Sequence, residues 1–182
     1  MSRFIPISSW RKWKIRKYIR KKLFHRTCQI KEEFPTGMRM EKLKFGLLHQ
    51  IQNGKTNLQT GGIGLENLVC ELMKCEGYET EVLPKNKFTG QADADIRAIK
   101  KDSFMSKKIF VQVKHHSGYS GRHGIEQIIN VLALKEYEEY DGCFITSAMV
   151  TDDARKLADK NGIEVMDGNR LVELIIKHRN LF

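Results

Sequence analysis

The chain has 182 residues, 41% hydrophobic and 30% charged, with a formal net charge of +10. That is enough chain to bury one core and carry an extension, and the composition is ordinary for a globular protein. No apolar run approaches the roughly 18 residues of a membrane span, the basic start lacks the apolar stretch of a secretory signal, and Cys28, Cys70, Cys75 and Cys143 form no CxxC pair. The expectation is a cytoplasmic protein with free thiols, no zinc centre and no transmembrane segment.

The charge is unevenly spread. Residues 1–55 hold 15 Lys and Arg against 3 Asp and Glu, whereas residues 56–182 hold 17 against 19. A near-neutral domain with a strongly basic arm points to a polyanionic partner, nucleic acid or an acidic membrane surface. Within the arm, residues 8–26 start on a serine N-cap candidate and contain no helix breaker. Ile15, Tyr18, Ile19 and Leu23 recur at helical spacing, while Arg11, Lys12, Arg16, Lys17, Arg20 and Lys21 crowd the remaining surface, which predicts a short basic amphipathic helix. A solvated face and a membrane-surface helix both fit the pattern. Trp10 and Trp13, set among the charges, favour nucleic-acid contact. Pro35 and Gly37 mark a break, Met40 to Ile51 reads as a second helix and Asn53 to Asn57 as a turn. Residues 1–60 are therefore expected as a basic helical extension or linker to a domain at 61–182.

From residue 61 the pattern sharpens. Gly61-Gly62-Ile63-Gly64 leads into a helix with Leu65, Leu68, Val69, Leu72 and Met73 on one face, ending at Gly77. No strand precedes the glycines and no Lys-Ser/Thr follows, so they are not a phosphate-binding fingerprint. Three strands are expected at Tyr78–Leu83, Ala92–Ile99 and Lys108–Lys114, the last two joined by a polar hairpin loop. A loop rich in Gly, Ser and His precedes a helix from about Ile125 to Tyr140. Strand Gly142–Thr146, helix Asp152–Asn161, strand Ile163–Met166 and helix Asn169–His178 complete the chain. The order, αβββα then βα and βα, predicts an α/β fold: a mixed central sheet with helices on both faces.

Strand Phe110-Val111-Gln112-Val113-Lys114 raises the chemical question, because alternation puts Gln112 and Lys114 on one face. Asp93 and Asp95, two apart on the preceding strand, share a face as well, and antiparallel pairing brings Asp95 and Gln112 within side-chain reach. Glu66, early in the first domain helix, is a third acidic candidate that the helix dipole also explains. Such a set suits metal-assisted phosphodiester hydrolysis. Carboxylates hold Mg²⁺, which keeps several waters; the metal acidifies water and neutralises phosphate charge; a lysine orients the attacking water or stabilises developing charge. A glutamine contributes only a neutral amide oxygen.

Residues 62–176 resemble the catalytic domain of Mrr-type restriction endonucleases, a branch of the PD-(D/E)xK nuclease superfamily in which glutamine replaces the acidic residue before x-Lys. The resemblance rests on Glu66 and Glu76-Gly77-Tyr78, on Ala94-Asp95-Ile96 and on Val111-Gln112-Val113-Lys114. It continues through Phe144-Ile145-Thr146-Ser147 with Ala154, and Gly162 to Gly168 with Leu171. It implies a restriction-endonuclease-like fold with an αβββαβ core, and catalytic roles for Asp95, Gln112, Lys114 and Glu66. Asp95, Gln112 and Glu66 would be the metal ligands, Mg²⁺ the cofactor with Mn²⁺ as the alternative, and foreign or modified DNA the substrate. Asp93, where relatives often have glycine, is either an extra ligand or a solvent-facing residue. The basic segment lacks the strand signals of the winged-helix reader found in some relatives.

Three groups of residues lie beside this set. His115 and His116 are expected as loop residues next to the site, with phosphate or water contact as an accessory role. Ser117, Ser120 and Arg122 suit the DNA backbone. Asp167-Gly168 reads as a turn. The expected activity is a Mg²⁺-dependent DNA endonuclease of restriction or defence type, acting as a homodimer or as a subunit of a larger restriction system. A junction-resolving nuclease on the same fold, and a non-catalytic nucleic-acid-binding protein, are the alternatives.

Overall fold

A computed structural model describes residues 36–53, 62–85, 87–102 and 105–178. The expected helix at residues 8–26, with Arg11, Lys12, Arg16, Lys17, Arg20 and Lys21, lies outside them. The described chain opens with helix α1 (Thr36–Gln52), followed by α2 (Gly62–Cys75), then strands β1 (Glu79–Val82), β2 (Ile96–Lys101), β3 (Ser106–Lys114) and β4 (Tyr119–Ser120). Helix α3 (His123–Leu132), a 3₁₀ turn (Lys135–Tyr137), β5 (Asp141–Thr146), β6 (Met149–Val150), α4 (Asp152–Lys160), β7 (Glu164–Met166) and α5 (Gly168–Lys177) complete it.

Five strands form one sheet in the order β1-β2-β3-β5-β7. The first three are an antiparallel meander, while β5 and β7 join β3 in parallel through the α3 and α4 crossovers. Central β3 is buried on both faces over Ile109–Val113, which is why that stretch is apolar but for Gln112. Its alternation builds two cores. Val111 and Val113 join Ile145, the α2 residues Leu65, Leu68 and Leu72, and Leu171 of α5 on one face. Phe110 joins Phe144, Ile125 and Ile128 of α3, and Ala154 and Ala158 of α4 on the other. The expected mixed sheet with helices on both faces is what forms.

Several boundaries differ from expectation, each for a packing reason. Helix α1 starts at Thr36 and contains Gly37, which the sequence marks as a break. One glycine costs a helix about 1 kcal/mol, less than the burial of Leu47 and Ile51, 1% and 2% exposed, contributes. Those two residues belong to the same core as α2 and α5, so a boundary at residue 60 falls between two helices of one core. The helix expected to reach Tyr140 stops at Leu132, and Leu134 is extended. The chain there folds back so that Tyr140 stacks on Phe110 at 4.4 Å and Tyr137 meets its edge at 4.9 Å, packing that overrides helical propensity. Asp167 is the N-cap of α5 rather than a simple turn residue, accepting from the Asn169 and Arg170 N–H groups at 3.1 Å each. The two-residue strands β4 and β6, which pair in parallel as a separate small sheet, have no sequence signal.

Helical glycines provide a stability test. A Cβ at Gly168 would run into the Ser147 carbonyl oxygen and the Leu48 side chain, whereas a Cβ at Gly46, inside α1, meets nothing within 4 Å. Gly168→Ala is expected to destabilise the fold by roughly 1–3 kcal/mol and Gly46→Ala to stabilise it by about 0.5–1 kcal/mol, read from urea unfolding midpoints.

Candidate active site

The strand expected to carry Asp93 and Asp95 begins only at Ile96, so neither aspartate lies on the regular strand and they do not share a pleat face. Asp95 keeps the ladder going for one more bond, its N–H donating to Val111 O at 2.9 Å. Two residues earlier the chain has turned away, and the Asp93 N–H reaches Gln127 O of α3 at 3.4 Å. The Asp95 carboxylate takes over where the main chain leaves. Its Oδ2 accepts the Val113 N–H at 2.6 Å and Gln112 Nε2–H at 2.6 Å. Asp95 and Gln112 therefore meet, as the register of the hairpin demands, through a carboxylate set into the edge of the ladder.

That contact also orients the glutamine. Turning the amide over would put two acceptor oxygens against each other, so Nε2 must face Asp95. Gln112 is 1% exposed, and its Oε1 is buried with no hydrogen-bond partner. A buried acceptor left unmatched costs roughly 1–3 kcal/mol; a neutral amide oxygen is a suitable ligand for a hard cation or its water shell. Among the described residues no group of three His, Cys, Asp or Glu is placed to hold a metal. The Asp95 carboxylate and Gln112 Oε1 are oxygen ligands of the kind accepted by a hard cation that retains most of its waters.

Glu66 sits in the second turn of α2 and is 6% exposed, so a surface helix-dipole role does not describe it. Burial raises its pKa first of all; Asp93 raises it further, while Lys85 and Lys114 lower it. Asp95 is pushed up to about 6, first by burial, with the charges of Glu66 and Asp93 adding, against the Val113 N–H and Lys114. Glu66 acts on Asp95 through the field, and Lys114 at the end of β3 is the cation common to both. Asp93 accepts from Gln127 Nε2 at a long 3.4 Å. Lys85 and Gln127 had no signal in the sequence: one follows a strand by three residues, the other is a polar position on an amphipathic helix.

The accessory residues separate. His115 Nε2 bonds the Ile51 carbonyl at the end of α1 at 2.7 Å, which makes it a tie between elements. The His116 main chain brackets Ser147, whose Oγ accepts its N–H at 3.0 Å and donates to its carbonyl at 2.7 Å; the His116 side chain is exposed. Ser120 is 4% exposed in β4, and is thus turned away from any phosphate, contrary to expectation. Arg122 stays at the surface, paired with Glu126 at 3.2 Å. Cys70 and Cys143 are unbridged, and no helix among the described residues is long and apolar enough to cross a membrane.

The raised Asp95 pKa makes a signed prediction. The folded state keeps that proton up to about pH 6, while the unfolded chain loses it near pH 4. Wild type therefore loses stability as pH rises from 4 to 6, and an Asp95→Asn variant does not. In metal-free buffer the variant's advantage should widen by at most about 3 kcal/mol between pH 4 and 7 and level off above; a gap constant across that range in chemical denaturation refutes the electrostatics.

With the geometry in hand, three comparisons place the chain. The Mrr catalytic-domain family model, described as restriction endonuclease, matches residues 58–175. No curated protein matches. Among solved structures, the DNA modification-dependent restriction endonuclease AspBHI is similar with a TM-score of 0.54 at 12% identity, over 76% of this chain and 35% of that one. Restriction endonuclease FokI bound to DNA gives 0.49 at 15%, over 86% and 30%. A repair endonuclease from Pyrococcus abyssi gives 0.43 at 20%, over 57% and 44%. The AspBHI likeness bears on the fold; this chain spans about a third of that enzyme's length.

Proposed function

Since the chain belongs to the Mrr-type restriction endonuclease family, we propose that it is a Mg²⁺-dependent DNA endonuclease of restriction or defence type. The observation that carries the reading is the joined pair Asp95–Gln112, with the Gln112 oxygen, on the other arm of the amide, buried and unmatched. Asp95 and Gln112 would hold the cation together with Glu66, whose charge already bears on Asp95. When bound, Mg²⁺ or Mn²⁺ supplies charge neutralisation at the scissile phosphate and acidifies water. The protein does the positioning. The Val113 N–H fixes the Asp95 carboxylate at the end of the β2–β3 ladder, and Lys114, the next residue on the Gln112 face, ends β3 there and lowers the pKa of both Asp95 and Glu66. There it orients water or stabilises negative charge developing on the phosphate. Arg122 at the surface suits the DNA backbone, as do the arm residues Arg11, Lys12, Arg16, Lys17, Arg20 and Lys21. The nuclease unit includes α1, because Leu47 and Ile51 complete its core.

Purified protein is incubated with plasmid, modified DNA and four-way junctions in Mg²⁺ or EDTA. The expected outcome is Mg²⁺-dependent cleavage that falls by about a hundredfold or more in Asp95→Ala and in Lys114→Ala. Folded variants that cut as wild type does, or no cleavage of any substrate, sink the enzyme reading; cutting confined to junctions selects the resolving alternative. Separately, removal of residues 1–26 should weaken DNA binding and flatten the dependence of log affinity on log salt, measured by titration at several salt concentrations. An unchanged slope assigns the arm to another partner.

A further inference from the structure

The segment between β3 and α3 presents a ring that the site described above does not use. Tyr119 is 75% exposed while Ser120 beside it is 4% exposed, so strand alternation turns the tyrosine ring outward. Its main chain is held along one side by β6. Tyr119 pairs with Met149 and Ser120 with Val150; Met149 N–H donates to Gly118 O at 2.9 Å and Thr151 N–H to Ser120 O at 3.1 Å. Single exposed apolar side chains are ordinary, but this one combines a fixed backbone with a particular place. Lys114 pairs with Thr146 at the ends of parallel β3 and β5, and Ser147 N–H donates to Lys114 O at 3.2 Å. Residues 116–120, tied in turn to 147–151, therefore lie beyond the sheet end that carries Lys114. The stretch 115–124 contains His115, His116, Arg122 and His123 and no acidic residue, so nothing within it repels a phosphate backbone.

We propose that Tyr119 stacks on a nucleobase beside the cleaved phosphate, and that the preferred substrate class is DNA with an unpaired base there, such as a gap or bulge. The inference rests on the DNA-endonuclease reading. A base inside a paired duplex is covered on both faces by its neighbours and offers only its edges. A protein ring reaches a base face only where that stacking is already lost or cheaply given up. Stacking of this kind is sequence-tolerant because every base has a π face, so Tyr119 selects for DNA structure, and a phenylalanine would serve as well.

Wild type, Tyr119→Phe and Tyr119→Ala are titrated in EDTA against a paired duplex and a duplex with a one-nucleotide gap facing 2-aminopurine. Mg²⁺-dependent cleavage of both is then followed. Wild type and Tyr119→Phe should prefer the gapped duplex and quench the 2-aminopurine; Tyr119→Ala should lose on the order of tenfold of that preference, together with the quenching. Equal gapped-to-paired ratios in wild type and Tyr119→Ala, or no quenching by wild type, overturn the proposal. The expected ratios without Mg²⁺-dependent cleavage of either duplex would support stacking and overturn the nuclease reading.

Discussion

The hydrogen bond from the Val113 N–H to the Asp95 carboxylate is the constraint around which the site is arranged. An antiparallel ladder needs an acceptor at that point, and the main chain of the neighbouring strand has already left toward α3. A side chain fills the position, so the carboxylate is fixed by the same register that builds the sheet. Gln112, one residue earlier on β3, then has a single sensible orientation, and its carbonyl oxygen is turned away from the carboxylate. Lys114 follows from alternation on the same strand. Three side chains of the candidate site are thus placed by one backbone pairing.

The arrangement costs the protein stability. Glu66 and Asp95 are raised by burial and by negative charge nearby, and an amide oxygen is buried unmatched. Interior groups of this kind are normally satisfied by hydrogen bonds within the fold. Here the apolar layers on both faces of β3 are what hold them in place, since Phe110 and Val111 are fully buried and Val113 nearly so. The core supplies rigidity, and it holds these carboxyls where burial, and then neighbouring negative charge, disfavours their ionised form.

Much of this was legible in the sequence, and the misses share a cause. The αβββαβαβα order, the Asp95–Gln112 encounter and the face shared by Gln112 and Lys114 all follow from local periodicity and hairpin pairing. What failed depended on contacts between distant segments. Asp93 leaves the strand because Gln127 of α3 is there to meet it. The long helix breaks at Leu132 because Tyr137 and Tyr140 pack on Phe110. Ser120 is buried because β6 pairs with a segment that reads as loop. None of these partners lies within a turn or two of the residue it rules, so no window of sequence reveals them.

Helix α1 carries a consequence for modularity. Its last turn is clasped at two points, by His115 on the Ile51 carbonyl and by Gln52 Nε2, which donates to Ser147 O at 2.8 Å. His115 directly follows Lys114, and Ser147 follows the end of β5, so α1 ties down the two loops that leave the sheet end carrying Lys114 and the Asp95–Gln112 pair. A portable cassette, cut free and fused to some other DNA-targeting module, would have to start at Thr36. One starting at residue 61 would leave behind the clasp that steadies that end of the sheet.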